Sequence, residues 1–135
     1  MEIYHLPNDL HLYGKQVPTF PTGIKEAFDD LIALVPDGMQ RSHFGISYME
    51  GDKIIYHAAS EEKYAGEAKA LNCREYIVEK GDYLSVTIKD WMKKIDAIKD
   101  VFHEMMQDKR MDMTKWCVEW YKSDDEMMCM VRVKR

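Results

Sequence analysis

Trp116-Cys117-Val118-Glu119-Trp120-Tyr121 is the stretch on which the reading of this chain turns. It is rich in aromatic and β-branched residues and runs into Ser123-Asp124-Asp125-Glu126, a turn signal, so it predicts a strand. Side chains alternate along a strand, which puts Cys117, Glu119 and Tyr121 on one face and Trp116, Val118 and Trp120 on the other. Both faces are then apolar except for one carboxylate. An ionised carboxylate is costly to bury alone. Glu119 therefore either has a partner within the protein or receives one from outside.

The rest of the chain sets the frame for that strand. At 135 residues the sequence predicts one domain with a single sizeable core. Apolar content of 46% beside 32% charged residues fits a globular chain. No apolar run is long enough for a membrane span, and Met1-Glu2-Ile3-Tyr4-His5 lacks the pattern of a signal peptide. Cys73, Cys117 and Cys129 are odd in number and far apart, which predicts free thiols and a cytoplasmic location. A net charge of −5 disfavours a nucleic-acid surface and suits cationic or neutral ligands.

Working outward, residues 9–20 predict a first strand, stopped by Pro18 and Pro21. Thr22 then predicts the cap of a helix to about Val35, with Ile24, Ala27, Phe28, Leu31 and Val35 as its apolar stripe. A hairpin follows, 43–49 and 53–60, around Glu50-Gly51-Asp52. Residues 61–72 read as a connection with a helical turn at most. Two strands, 74–78 and 83–88, flank Gly81. Thr87 or Asp90 predicts the cap of a second helix to about Gln107, buried through Trp91, Ile95, Ile98, Phe102 and Met105. The opening strand and a last strand, 127–134, complete the chain. Residues 9–60 and 73–134 thus share one order, strand, helix, hairpin, and predict two β-α-β-β units. Matching their hairpins sets Phe44, Ile46 and Tyr48 in the same cleft as Cys117, Glu119 and Tyr121.

Phe44-Gly45-Ile46-Ser47-Tyr48, the strand around Tyr56, Gly81-Asp82-Tyr83, Trp91 and Val118-Glu119-Trp120-Tyr121 resemble, in this order, the GyrI-like effector-binding domains. These occur in bacterial multidrug-sensing transcription regulators and as stand-alone proteins. The resemblance implies an α+β fold of duplicated β-α-β-β units, with two helices on one face of an antiparallel sheet and a ligand cleft on the other. It implies that Glu119 receives cationic or amphipathic small molecules among aromatic side chains: Tyr121, Phe44, Tyr48, Tyr56, Tyr83 and Trp91. It equally implies an alternative, since some stand-alone relatives hydrolyse electrophilic compounds with this acid. Glu119 would then activate water and Tyr121 donate a proton. With no helix-turn-helix segment in the sequence, direct DNA binding is not expected, and the output of a sensor falls to a protein partner or a second copy.

Register decides two details. A two-residue loop at Gly51-Asp52 sets His57 opposite Ile46, and a three-residue loop sets Tyr56 there. The tyrosine in that strand of the family favours Tyr56. A two-residue loop at Asp124-Asp125 sets Met130 opposite Glu119 and makes Arg132 its diagonal neighbour. With Met128 and Met130 around the acid, the expectation is a partly buried Glu119 in the largest cleft, bordered by aromatics, with no guanidinium in reach. The five histidines show no paired ligand spacing, and no phosphate loop or nucleophile elbow is present, so no metal and no cofactor is expected.

Overall fold

The computed structural model describes residues 1–134; Arg135, the last residue of the predicted domain, lies outside the described residues. Eight strands form one antiparallel sheet: β1 (Glu2–Leu6), β2 (Leu10–Gln16), β3 (His43–Glu50), β4 (Lys53–Glu61), β5 (Arg74–Val78), β6 (Gly81–Lys89), β7 (Cys117–Tyr121) and β8 (Glu126–Arg132). Three α-helices accompany it: α1 (Ile24–Ala33), α2 (Glu67–Ala70) and α3 (Ile95–Met106). The strand order is β1-β6-β8-β7-β3-β4-β2-β5. Outward from the central β7–β3 pair the halves match, β8 with β4 and β6 with β2. The outermost strands are exchanged, because β1 pairs with β6 and β5 with β2.

The sheet curls on itself. Leu6 of β1 and Val78 of β5, from its opposite edges, share one apolar cluster with Phe44, Val118 and Met130 from its centre. The outer face carries the helices. Ala27 and Leu31 of α1 pack with Tyr13, Tyr56 and Ala58, while Ile98 and Met105 of α3 pack with Leu84, Met127 and Cys129. Both long helices therefore cover one face of an α+β fold built from two β-α-β-β units, as the sequence predicts. No helix is long and apolar enough to cross a membrane, and Cys73, Cys117 and Cys129 are all unpaired.

Several boundaries differ from expectation for local reasons. The first strand is confined to Leu10–Gln16, and β1 was not foreseen, since five residues with one charge and one His give no clear alternation. Thr22 does not cap α1. Its hydroxyl donates to the Thr19 carbonyl at 2.8 Å, and Gly23, at φ 87°, takes the cap position. Asp90, at φ 53°, starts a short 3-10 turn over Trp91–Lys93, so α3 begins only at Ile95. That break shifts the helical phase, and Ile95 leaves the predicted stripe at 62% exposure.

One ion pair ties the two connections of the first half together. Arg41, just before β3, forks onto Glu67 of α2, with Nη2 donating to Oε2 at 2.9 Å, and Nη2 also donates to Asp37 Oδ1 at 3.0 Å. Both side chains of the Arg41–Glu67 pair are almost wholly buried. Removing one partner of a buried pair strands the other charge, at about 3 kcal/mol. Glu67→Gln should lower the urea unfolding free energy by less than that amount, because Arg41 keeps Asp37. The guanidinium holds the Glu67 carboxyl below its usual range. The pair's contribution should thus persist above the ordinary glutamate pKa and vanish as pH falls through the depressed folded value, visible as a shallower acid limb in the variant.

Candidate ligand site around Glu119

The central seam of the sheet builds the site. Across β3–β7 the register pairs Phe44 with Trp120, Gly45 with Glu119 and Ile46 with Val118. Gly45 thus lies directly opposite the carboxylate. Across β3–β4, Ser47 pairs with Tyr56, so Tyr56 shares the face of Gly45 and Glu119. A Cβ at Gly45 would collide with both Tyr56 Oη and Glu119 Oε1. The glycine leaves the room in which these oxygens converge.

Three polar groups meet there. Tyr121 Oη donates to Glu119 Oε1 at 2.9 Å, and the hydroxyls of Tyr121 and Tyr56 are 3.4 Å apart. Aromatic rings enclose them. Phe20 stacks on Tyr56 at 4.9 Å between centroids, Phe28 of α1 meets Tyr121 edge-on at 5.8 Å, and Trp91 tilts over Tyr121 at 4.9 Å. Tyr56 is buried, whereas Glu119, Tyr121, Phe20, Phe28 and Trp91 each keep part of their surface open. No described Lys, Arg or His lies in ion-pair range of Glu119.

Burial raises the Glu119 carboxyl above its ordinary pKa, and the hydrogen bonds from Tyr121 and Tyr56 oppose that rise. Burial, then the neighbouring carboxylate, raises both tyrosines well above their usual range. Cys117, on the same face, is pushed up to about 11 by burial and then by Glu119, so it is a thiol and no nucleophile at neutral pH.

Of the residues singled out from sequence, Glu119, Tyr121, Tyr56 and Trp91 come together and three do not. Phe44 packs against Trp120, Tyr48 against Trp116 and His57, and Tyr83 under the Arg132 guanidinium, all on the side of the sheet away from α1 and α3. The reason for Phe44 and Tyr48 is register: β3 pairs with β7 so that Phe44 opposes Trp120 and Ile46 opposes Val118, and His57, which pairs with Ile46 across the two-residue β3–β4 loop, faces away from Glu119 with them. The acid itself sits on the helix-bearing face, between α1 and the turn at Trp91, and not on the opposite one. Two concavities on the surface, around Trp116 and Arg132 and around Gly81 and Lys134, do not include it. Phe28 and Phe20 were missed as site residues. Phe28 lies on the apolar stripe, where a core residue and a ring facing a ligand look alike. Among the described residues, one group of three metal-ligating side chains, His11, Glu62 and Glu75, places donor atoms within 4.8 Å of one another. They lie at the sheet edge, and Glu62 Oε2 already accepts the Ala68 N–H at 2.8 Å.

No family profile and no curated protein matches this sequence. Solved structures do match its fold. An integron cassette protein, VCH_CASS2, from the mobile metagenome of Vibrio cholerae superposes with a TM-score of 0.71 at 14% identity, covering 98% of this chain and 95% of that one. SAV2435 bound to tetraphenylphosphonium gives 0.63 at 11% identity, with 98% and 93% covered. A hydrolase from Listeria innocua gives 0.63 at 10% identity, with 98% and 90% covered. The chain has the fold of the GyrI-like effector-binding domains.

Within this GyrI-like fold the acid carries a stability cost that can be measured. A carboxyl whose folded pKa is raised loses stability as pH climbs from the ordinary glutamate range through the folded value. Glu119→Gln should therefore be more stable than the wild type at neutral pH in urea unfolding. The two should converge below the ordinary glutamate pKa. Tyr121→Phe removes a hydrogen bond to the charged form, so it should raise the Glu119 pKa further, as read by side-chain carbon NMR.

Proposed function

We propose that this chain binds a small cationic, amphipathic aromatic molecule at Glu119. The observation that carries the reading is the acid itself: enclosed by aromatic rings, hydrogen-bonded by a phenol, and without a described cation to neutralise it. A positive ligand supplies the missing charge, and the faces and edges of Phe20, Phe28, Trp91 and Tyr121 offer apolar and cation–π contacts of roughly 0.5–2 kcal/mol each. A neutral molecule would gain the apolar contacts only. The same fold holding tetraphenylphosphonium in SAV2435 supports the reading, although at 11% identity it speaks to the scaffold and not to these residues. A sensor of this kind acts through a partner or a second copy, in keeping with a net charge of −5, which disfavours direct nucleic-acid binding.

A second reading has its own observation. The Tyr121 hydroxyl lies 2.9 Å from a carboxyl of raised pKa, a pairing suited to general acid–base work on water and an electrophile. A neighbour of this fold is a hydrolase. Binding remains the preferred reading because aromatic rings, and no described cation, surround the acid.

One substitution separates the two. In the binder, Glu119→Gln should weaken tetraphenylphosphonium by roughly tenfold or more, the loss of one charge-assisted contact, and leave the neutral triphenylphosphine oxide nearly unchanged. Isothermal titration would show both. In the hydrolase, turnover of aryl isothiocyanates or simple esters by the wild type should disappear in the variant while substrate still binds. Equal affinity of wild type and variant for the cation, with no turnover in either, would remove both readings. For a permanent cation the affinity should rise as pH climbs through the raised Glu119 pKa, because only the ionised acid attracts it.

A further inference from the structure

A second cluster of chemistry-bearing side chains lies at one edge of the sheet, where β2 runs between β4 and β5. His11 of β2 pairs with Ile77 of β5, so Glu75, two residues before Ile77, is its diagonal neighbour on the same face. On the other side Leu12 pairs with Glu61. One residue further, just past the end of β4, the Glu62 amide donates to the His11 carbonyl at 2.8 Å, which sets Glu62 opposite His11. Alternation therefore presents one imidazole and two carboxylates, from three neighbouring segments, to one face. Donor atoms of all three lie within 4.8 Å of one another. Among the described residues no Lys or Arg is in ion-pair range of Glu62 or Glu75. Two carboxylates held together without a cation repel each other, and a positive ion between them removes that repulsion.

We infer that His11, Glu62 and Glu75 form a binding site for a first-row divalent metal ion of the zinc type. An imidazole nitrogen beside carboxylate oxygens suits Zn2+, Co2+ or Ni2+, whereas Mg2+ and Ca2+ take all-oxygen sets. Ligands about 2.1 Å from one ion stand at most about 4.2 Å apart, so small rotations of the exposed His11 and Glu75 side chains close the set. Glu62 is the fixed member. Its Oε2 accepts the Ala68 N–H at 2.8 Å, which orients the carboxylate and leaves Oε1 for the ion. Water completes the coordination from the solvent side. The ion acts as a clip. β5 is the edge strand and pairs with β2 alone, while Glu62 begins the connection that carries α2 to it. One bound ion joins that connection, β2 and β5. The site does not depend on the Glu119 reading.

The test titrates the whole chain with ZnCl2, CoCl2 and MgCl2 in buffer free of chelators. Isothermal titration should show one saturable Zn2+ site, and hydrogen exchange should slow in the β5 amides as that site fills. Mg2+ should bind at least about a hundredfold more weakly than Zn2+. His11→Ala and Glu75→Gln should each weaken Zn2+ at least about tenfold. Both residues are exposed, so these variants keep the fold. The Co2+ absorption spectrum should lack a thiolate charge-transfer band, because Cys73, Cys117 and Cys129 take no part. Glu119→Gln should leave every titration unchanged. Equal affinity for Zn2+ and Mg2+ would reduce the cluster to a patch of negative charge and overturn the inference. So would Zn2+ affinity that survives His11→Ala, a thiolate band with Co2+, or no saturation up to about 1 mM Zn2+. Failure of the organic-cation titrations at Glu119 would leave the metal site untouched.

Discussion

The acid site depends on one close approach, β3 passing β7 at Gly45. A side chain at that position would occupy the space where the Tyr56 hydroxyl and the Glu119 carboxylate meet. Strands in a sheet lie about 4.8 Å apart, so a cross-strand neighbour normally fills the surface beside a residue such as Glu119. Here the neighbour is a hydrogen atom. The tyrosine one strand further on, on β4, can then reach across β3 to the acid. The polar trio thus draws on β4 and β7 at the seam of the two halves, where the matched order of strands places its centre.

The same enclosure sets the electrostatics. Water is largely displaced by rings from α1, from the segment before it and from the turn before α3, none of which offers a cation. Tyr121 supplies a hydrogen bond but no charge. The carboxyl consequently resists ionisation, and its ionised form is unusually receptive to a positive partner. Stability and function oppose each other at such a position, because the feature that weakens the fold is the one that would bind.

Much of this could be read from one strand. Alternation within Cys117–Tyr121 assigns Glu119 and Tyr121 to a common face without further knowledge. The helical stripes at Ala27 and Leu31, and at Ile98 and Met105, likewise predict which sides of α1 and α3 are buried. Between strands, however, period-2 patterns carry no absolute phase; only register supplies it, and register depends on loop length. Phe44 and Tyr48 were assigned to the wrong face on this account. Tyr56, favoured from the resemblance, does stand beside Glu119, but not through the pairing with Ile46 that a three-residue loop would give. The expected three-residue loop is a two-residue loop, and Ile46, the residue it was to oppose, faces away. Composition could not distinguish these cases, since Phe44, Ile46 and Tyr48 are apolar enough to suit either face.

The β7–β8 turn shows how much rides on a single residue of loop. With two residues between the strands, Arg132 would stand diagonal to Glu119 on one face, and an ordinary ion pair would neutralise both. The turn instead holds Ser123-Asp124-Asp125, with Lys122 N donating to the Glu126 carbonyl at 3.1 Å and Tyr121 pairing with Met127. Cys129 therefore opposes Glu119, and Arg132 projects with Met128 and Met130 to the other side. The serine fixes that length, its Oγ accepting the amides of Asp125 at 3.2 Å and Glu126 at 3.1 Å. One sheet thickness then separates an acid without a base from a base without an acid. Among the described residues the acid has a phenol beside it and no cation, while the guanidinium is held by the carbonyls of Glu79 and Lys80.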